Sequence, residues 1–138
     1  MRKKIFFSIG ILMLCLAGYA FYLYNKPHTS VAAIAPSITI NAADLYAAYA
    51  QNEPAANKQF LDKVVLVKGK VSDVSRTDST LTVLLESNDI AGGVSCNIIA
   101  KNTTAASIKN GEPVSIKGRC TGYLADVMLA DCIVETQH

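Results

Sequence analysis

The chain is poor in the side chains that most often carry catalysis and metal binding. It has two histidines among 138 residues and no tryptophan. The histidines are His28, in the predicted linker, and His138, the last residue, so the sequence has no Cys/His cluster at zinc spacing and no histidine within the predicted strands to act as the base of a serine nucleophile. We therefore expect no metal, no cofactor and no enzymatic activity.

Aromatic residues are scarce in the second half of the chain. From Leu61 to His138 the one aromatic residue is Tyr123. Proteins that bind single-stranded nucleic acid stack bases on aromatic side chains, and each stack contributes about 1–3 kcal/mol. A single ring cannot hold a strand, so the sequence disfavours nucleic-acid binding.

A basic surplus is absent from all but the N-terminal part of the chain. The whole sequence is formally +2, but four of its thirteen Lys and Arg residues lie within residues 1–26. From Pro27 onward nine basic residues stand against eleven acidic ones, a net charge of −2. A domain that neutralises phosphates normally carries an excess of bases. The charge balance therefore also weighs against nucleic acid.

Charge is missing altogether from residues 5–24, IFFSIGILMLCLAGYAFYLY. As a helix this run is roughly 30 Å long, enough to cross a bilayer core, and we expect it to contact the membrane. Three basic residues precede it, which predicts a cytoplasmic N-terminus. We predict an uncleaved signal anchor over residues 1–24. The alternatives are a signal peptide cleaved near Ala20 and a lipoprotein signal at Cys15, for which the preceding Leu14 is too bulky.

The rest of the sequence divides into a linker and one domain. Residues 25–40 are short of charge and rich in Ala, Ser and Pro, which is typical of a linker. Residues 41–60 have helical periodicity, with Asn41 as a candidate cap and Pro54 as a kink or break. The domain is predicted to span residues 41–138 and to begin with this amphipathic helix.

Five runs with the alternation of β-strands follow the helix. They cover residues 63–74, 80–87, 93–100, 112–120 and 126–134. Between the third and fourth runs, a segment ending at Asn110-Gly111 is typical of a small helix with a C-terminal glycine. This order favours a mostly β fold, the five-stranded Greek-key OB barrel. A small sandwich or an SH3-like barrel is the alternative.

The motif VLVKGK at residues 65–70 recurs as VSIKGR at residues 114–119. The first and fourth strands of an OB barrel are antiparallel neighbours, so we expect the two copies side by side. Glycine inside a strand marks a bulge, a bend or a close backbone approach, so Gly69 and Gly118 are predicted to be structural. Alternation turns four bases outward together as a candidate ligand-binding patch, namely Lys68, Lys70, Lys117 and Arg119.

Tyr123 is a further candidate ligand contact. It falls in the predicted loop between the fourth and fifth strands, where OB folds commonly bind ligands. A ring that covers one end of the barrel is the alternative interpretation. For the four bases the alternative is a solvated strand face, on which charges discourage edge pairing.

Three cysteines lie outside the predicted anchor, in a compartment where disulfides form. Alternation points all three inward, namely Cys96, Cys120 and Cys132. A regular hairpin pairs Cys120 with about Met128 and leaves Cys132 roughly 13 Å away, beyond the ~7 Å that a disulfide spans. Cys96 and Cys132 lie on strands that are neighbours in the OB order, so a disulfide between them is predicted as one outcome. Three reduced, buried thiols are the other.

Several segments, taken in order, resemble the tRNA-anti-like family of bacterial exported OB-fold proteins, many of which are described as lipoproteins. The resemblance spans residues 45–134 and rests on LYAAYAQNEPAANKQFLDK, VKGKV, GGVSCNI, IKNGEPVSIKGRCTG and DVMLADC. It implies an OB fold and an export route, whereas fold alone does not fix a function. The chain departs from the lipoprotein members because it lacks a good lipobox.

Together these observations predict a membrane-anchored, exported OB-fold module that binds a ligand or a protein partner in the bacterial envelope. The expected location is a single-pass membrane protein with its C-terminal domain in the periplasm or outside the cell. The alternative function is binding of an oligonucleotide or another anionic ligand through the four bases.

Overall fold

A long apolar helix begins the chain and stands apart from the core. The computed structural model describes residues 1–25, 30–99 and 107–135. Helix α1 runs over Arg2–Tyr24, about 34 Å at 1.5 Å per residue. Its stretch Lys3–Tyr24 has a mean hydropathy of 2.1, and the apolar window is not buried against the rest of the protein. By length and composition this helix is a candidate membrane span.

The second part of the molecule is a closed five-stranded barrel. Its strands are β2 (Val64–Arg76), β3 (Thr80–Leu85), β4 (Val94–Ile99), β5 (Pro113–Tyr123) and β6 (Val127–Glu135). The strands pair in the order β2-β3-β4-β6-β5, and β5 pairs again with β2. This closed arrangement confirms the predicted OB fold. The small helix predicted before Gly111 lies mostly outside the described residues.

The length of β2 allows the barrel to close. Its thirteen residues serve two partners. The first half, Val64–Lys70, pairs with β5, and the second half, from Val71 to Arg76, pairs with β3. A register shift between Val71 and Asp73 marks the change of partner. Such an irregularity bends a strand and increases its twist, which a small barrel requires.

The predicted linker differs from the structure in its second half. Residues Val31–Ala33 form a short 3-10 turn, here called the docked turn, in which Val31 is buried. Strand β1 (Ile38–Asn41) then runs parallel to β2, with Ile38 opposite Val65. The packed chain therefore begins at the docked turn, ten residues before the predicted start of the domain.

Two helices cover the barrel where one broken helix was predicted. Helix α2 (Ala42–Gln51) buries Leu45, Tyr46 and Tyr49 in the core. Helix α3 (Glu53–Phe60) follows at once, because Asn52 Oδ1 accepts a hydrogen bond from Ala55 N at 3.2 Å and caps a new helix. The predicted break is thus a cap at Asn52, with Pro54 in the first turn.

A bulge in β6 changes which of its residues face the core. Asp131 has a φ of 53°, and the register shifts here against both β4 and β5. Before the bulge Leu129 is buried and Met128 is on the outer face, whereas after it Cys132 is buried. Regular alternation places Met128 and Cys132 on one face, which is wrong because the extra residue inverts the pattern.

Candidate functional site

The two copies of the Lys-Gly motif lie side by side, as expected. In the antiparallel pair of β2 and β5, Val67 is opposite Ile116 and Gly69 is opposite Val114. Val65 is opposite Gly118, so the two glycines are offset along the seam. The seam between β2 and β5 is therefore built from both copies.

Both glycines lie where another atom approaches the backbone closely. A Cβ built on Gly69 would come within 2.9 Å of Ala42 Cβ, at the start of α2. A Cβ built on Gly118 would lie 2.5 Å from Cys132 Sγ and 3.2 Å from Leu129 Cβ. Real Cβ atoms essentially never come within 3.0 Å of a neighbour, which rules out the contacts with Ala42 and with Cys132 unless something shifts. Each glycine thus makes room for a particular partner.

The four predicted bases do not form one exposed patch. Lys68 and Lys70 are exposed on β2, but Lys117 on β5 is 6% exposed. Its Nζ lies 2.9 Å from Glu135 Oε1 and donates a hydrogen bond to Ala32 O of the docked turn at 3.5 Å. Arg119 is partly buried and donates to the carbonyl oxygen of Asp62 at 3.5 Å. The docked turn covers the face that strand alternation assigned to solvent.

A cleft opens beside the docked turn, at the end of the barrel where β5 begins and β6 ends. Its volume is about 530 Å³. The apolar part of its wall consists of Ile108, Pro113, Val114 and Val134. Its polar lining consists of Asn41, Lys68, Ser107, Glu112, Ser115 and Glu135. The cleft is thus lined by residues of both motif copies and by Glu135, the ion-pair partner of Lys117.

Lysines border this cleft. Lys68 lines it, and Lys70 and Lys109 each follow a lining residue directly in the sequence. The Lys70 side chain reaches over Gly111, since its Cε lies 4.0 Å from a Cβ built there. We call Lys68, Lys70 and Lys109 the lysine rim. Of the two carboxylates in the cleft, Glu135 is paired with Lys117, and Glu112 accepts a hydrogen bond from the backbone N–H of Lys109 at 3.2 Å.

Tyr123 is the last residue of β5 and is packed rather than free. Its ring is 5.7 Å from that of Tyr49 in a stacked arrangement and 6.0 Å from that of Tyr46 edge to face. A hydrogen bond with Tyr123, burial and the nearby carboxylates of Asp89 and Asp126 raise the pKa of Tyr46 to about 12. Burial and a hydrogen bond with Cys120 raise the pKa of Tyr49 further. The faces of Tyr123 are thus occupied by α2 rather than open to a base.

The three cysteines of the barrel are buried and unbridged. Cys96 is opposite Leu129, and Cys132 is opposite Ile98, so these two cysteines are diagonal neighbours across β4 and β6. Interaction with the Cys132 thiol and burial raise the pKa of Cys96 well above its ordinary value. Burial also raises the pKa of Cys120, which lies 3.2 Å from Tyr49 Oη. The raised pKa values of Cys96 and Cys120 favour the protonated thiol, which is the less reactive form.

The described residues contain no group of three or more His, Cys, Asp or Glu side chains that could hold a metal ion. Both histidines of the sequence, His28 and His138, lie outside the described residues.

The family model tRNA_anti-like matches residues 1–133. The chain belongs to the tRNA_anti-like family. This match confirms the resemblance seen in the sequence and extends it through the N-terminal helix.

Solved structures share the fold of this family member at low sequence identity. A lipoprotein of Klebsiella pneumoniae, to which nucleic-acid binding is ascribed, has a TM-score of 0.61 at 20% identity, with 80% of this chain and 100% of that chain covered. A Leishmania major protein ascribed to the aspartyl-tRNA synthetases has a TM-score of 0.50 at 14% identity, with 83% of this chain but 22% of that chain covered. None of the curated proteins compared matches the chain. These likenesses establish the fold alone.

The usual ligand face of an OB fold carries no charge in this tRNA_anti-like protein. That face is formed by the second and third barrel strands, here β3 and β4. Its outward residues are Thr80, Thr82, Leu84, Ser95, Asn97 and Ile99. Thr82 Oγ1 donates a hydrogen bond to Asn97 Oδ1 at 2.9 Å. A face without lysine, arginine or aromatic rings offers neither phosphate pairing nor base stacking.

Proposed function

We propose that the protein is a membrane-anchored OB-fold binding module of the bacterial envelope, which holds its barrel at the outer surface of the membrane. The observation that carries this proposal is the docked turn. Six residues separate Tyr24, the end of α1, from Val31, which is buried against the barrel. A chain of that length spans at most about 25 Å. The barrel is thus held close to any bilayer that α1 crosses.

The contacts of the docked turn support a fixed attachment. Ser30 Oγ accepts a hydrogen bond from Ala32 N at 3.3 Å, which caps the turn. The Ala32 carbonyl accepts from Lys117, and Lys117 is paired with Glu135 on the next strand. The turn is therefore tied to β5 by a hydrogen bond, and through Lys117 to β6, as well as by the buried Val31.

The orientation and the binding role rest on the sequence. Arg2, Lys3 and Lys4 precede the apolar run, which favours a cytoplasmic N-terminus and an exported barrel. OB barrels serve mainly as binding modules, and the scarcity of histidine gives no support to a hydrolytic or metal-dependent reaction. We therefore propose binding rather than catalysis.

A topology experiment tests this proposal. A phosphatase that is active only outside the cytoplasm, fused after His138, should be active, and the full chain should stay in the membrane fraction after a high-salt wash. N-terminal sequencing should find the chain uncleaved. An inactive reporter, or a soluble protein that begins at Phe21, would overturn the proposal that α1 is a retained membrane anchor.

Binding of nucleic acid is the second candidate, favoured by the activity ascribed to the Klebsiella pneumoniae lipoprotein and by the exposed Lys68 and Lys70. It predicts salt-sensitive binding of a labelled single-stranded oligonucleotide by the detergent-solubilised full chain. Lys68→Ala with Lys70→Ala should weaken that binding. Lys58→Ala with Lys63→Ala, at exposed positions outside the lysine rim, is the matched control. If the rim variant and the control variant bind the oligonucleotide equally well, the cleft is not a nucleic-acid site.

A further inference from the structure

We propose that the lysine rim binds phosphate groups of membrane lipids, so that the barrel rests on the bilayer through the cleft. The proposal rests on the proposed function, because it requires α1 to be a retained anchor. It adds a partner, the lipid surface, and an orientation of the barrel on that surface.

The position of the cleft next to the attachment point is the first argument. Lys117 bonds to the Ala32 carbonyl of the docked turn and to Glu135, and Glu135 is itself part of the cleft wall. The cleft therefore begins one side chain away from the docked turn. Because at most about 25 Å of chain joins Val31 to Tyr24, the cleft stays within reach of lipid headgroups.

The charge of the cleft is the second argument. Among the described residues no carboxylate is paired with Lys68 or Lys70, whereas Lys117 has such a partner. In the described lining of the cleft, Glu135 is paired with Lys117, which leaves Lys68 and Glu112 as the other charged residues. Lys70 and Lys109 lie at the edge, as do Glu86, whose N–H donates to Lys70 O at 2.8 Å, and Asp44, which accepts from Asn41. Lys68 and Lys70 are thus exposed lysines that remain available to an anionic ligand. Lysine ammonium groups near a membrane are attracted to anionic lipid headgroups.

The composition of the wall distinguishes lipid from nucleic acid. No aromatic residue lines the cleft, so a base has no ring on which to stack. Ile108, Pro113, Val114 and Val134 form the apolar part of the wall. A phosphate attached to a glycerol backbone matches a cleft whose lining combines a lysine, an amide side chain and apolar side chains.

Lysine footprinting of the full chain in lipid nanodiscs tests the contact. The probe is a water-soluble amine-acylating reagent, with mass spectrometry to locate the acylated lysines. We expect acylation of Lys68 and Lys70 to fall several-fold in nanodiscs that contain phosphatidylglycerol, relative to nanodiscs without it, and to recover at high salt. Lys58, exposed on α3 and outside the cleft, is the internal control and should react equally in both.

Charge reversal gives the second arm of the experiment. Lys68→Glu with Lys70→Glu should restore acylation of Lys109 in phosphatidylglycerol nanodiscs, while Lys58→Glu with Lys63→Glu should leave its protection unchanged. Both variants should melt at the wild-type temperature, since all four positions are exposed.

The outcomes separate the two proposals. A chain that remains in the membrane but whose rim lysines react equally with and without phosphatidylglycerol would overturn the lipid contact and leave the anchor intact. A chain released from the membrane by cleavage would overturn the proposed function. Protection of the rim by a single-stranded oligonucleotide in micelles, without protection by lipid, would replace the lipid with nucleic acid.

Discussion

The two Lys-Gly motifs have nearly the same sequence and lie on adjacent strands, yet their lysines have opposite environments. Lys68 is exposed and lines an open cleft, whereas Lys117 is buried beneath the docked turn and paired with Glu135. The glycines differ as well, because Gly69 accommodates a helix and Gly118 accommodates a thiol. A local motif thus determines which way a side chain points, and the segment packed over it determines whether that side chain meets water.

The largest effect is expected at Gly118. Gly118→Val would push side-chain atoms into Cys132 Sγ and Leu129, and we expect a loss of about 3 kcal/mol or more in the free energy of unfolding. Denaturant unfolding of the solubilised chain measures it. Gly118→Ala should cost less, and Cys132→Ala should recover part of that cost because it removes the sulfur in contact. A Gly118→Val protein as stable as the wild type would show that the close approach has no energetic role.

A smaller effect is expected at Gly69. Gly69→Ala places a methyl group 2.9 Å from Ala42 Cβ, at the first residue of α2, where the helix can shift slightly. We expect a loss of about 1–2 kcal/mol, less than for the same change at Gly118. The comparison of Gly69→Ala with Gly118→Ala in one denaturant series tests the order. The reverse order would mean that the start of α2 is the more rigid partner.

The next prediction concerns the stability effect of Lys117, which is compared below with that of Lys68. Lys117→Met removes the partner of Glu135 and the hydrogen bond to Ala32, and we expect a loss of about 1 kcal/mol. The Glu135 side chain is 38% exposed, so water compensates for much of the lost attraction. Limited proteolysis should also cut near the docked turn faster in this variant. Unchanged cleavage would show that Val31 alone holds the turn.

At Lys68 the effect on stability should be close to zero. Lys68→Ala removes an exposed charge that has no ion-pair partner among the described residues, so the free energy of unfolding should change by less than about 0.5 kcal/mol. The same denaturant series measures it. A loss of unfolding free energy as large as that of Lys117→Met would contradict the conclusion that one motif copy is exposed and the other is covered.

Adding a reductant should have the smallest effect on the stability of the protein. Cys96 and Cys132 are free thiols in the structure, and each lies opposite a different residue of the neighbouring strand, namely Leu129 and Ile98. We expect all four cysteines to titrate as free thiols in the denatured chain, and the melting temperature to be the same with and without reductant. A mapped Cys96–Cys132 bridge would show that the bulge at Asp131 can shift enough to join the strands.

The barrel was largely predictable because alternation over five long runs records which residues face the core. The observed strand bounds differ from the predicted ones by at most three residues at any end. The bulge at Asp131 was not predictable, since a single inserted residue is invisible in a pattern of alternating residue types. It explains why Met128 was assigned to the wrong face.

The docked turn and β1 were missed because short segments carry little local signal. Strand β1 has four residues, and its stability comes from the pairing of Ile38 and Ile40 with β2 rather than from its own sequence. The burial of Lys117 was missed for the same reason, because the docked turn is what covers it. Strand alternation gave its direction correctly, but the residues that cover it lie 85 positions earlier in the chain. Contacts at that separation leave no trace in a local pattern.

If α1 crosses a membrane as proposed, the short connection at the docked turn also determines how strong an interaction of the barrel with a membrane partner has to be. A module held within about 25 Å of a surface samples a small hemisphere, in which the effective concentration of a membrane partner is on the order of millimolar. A site with a millimolar dissociation constant would then be substantially occupied on the membrane. The same barrel, cut free and assayed in dilute solution, would seem inert.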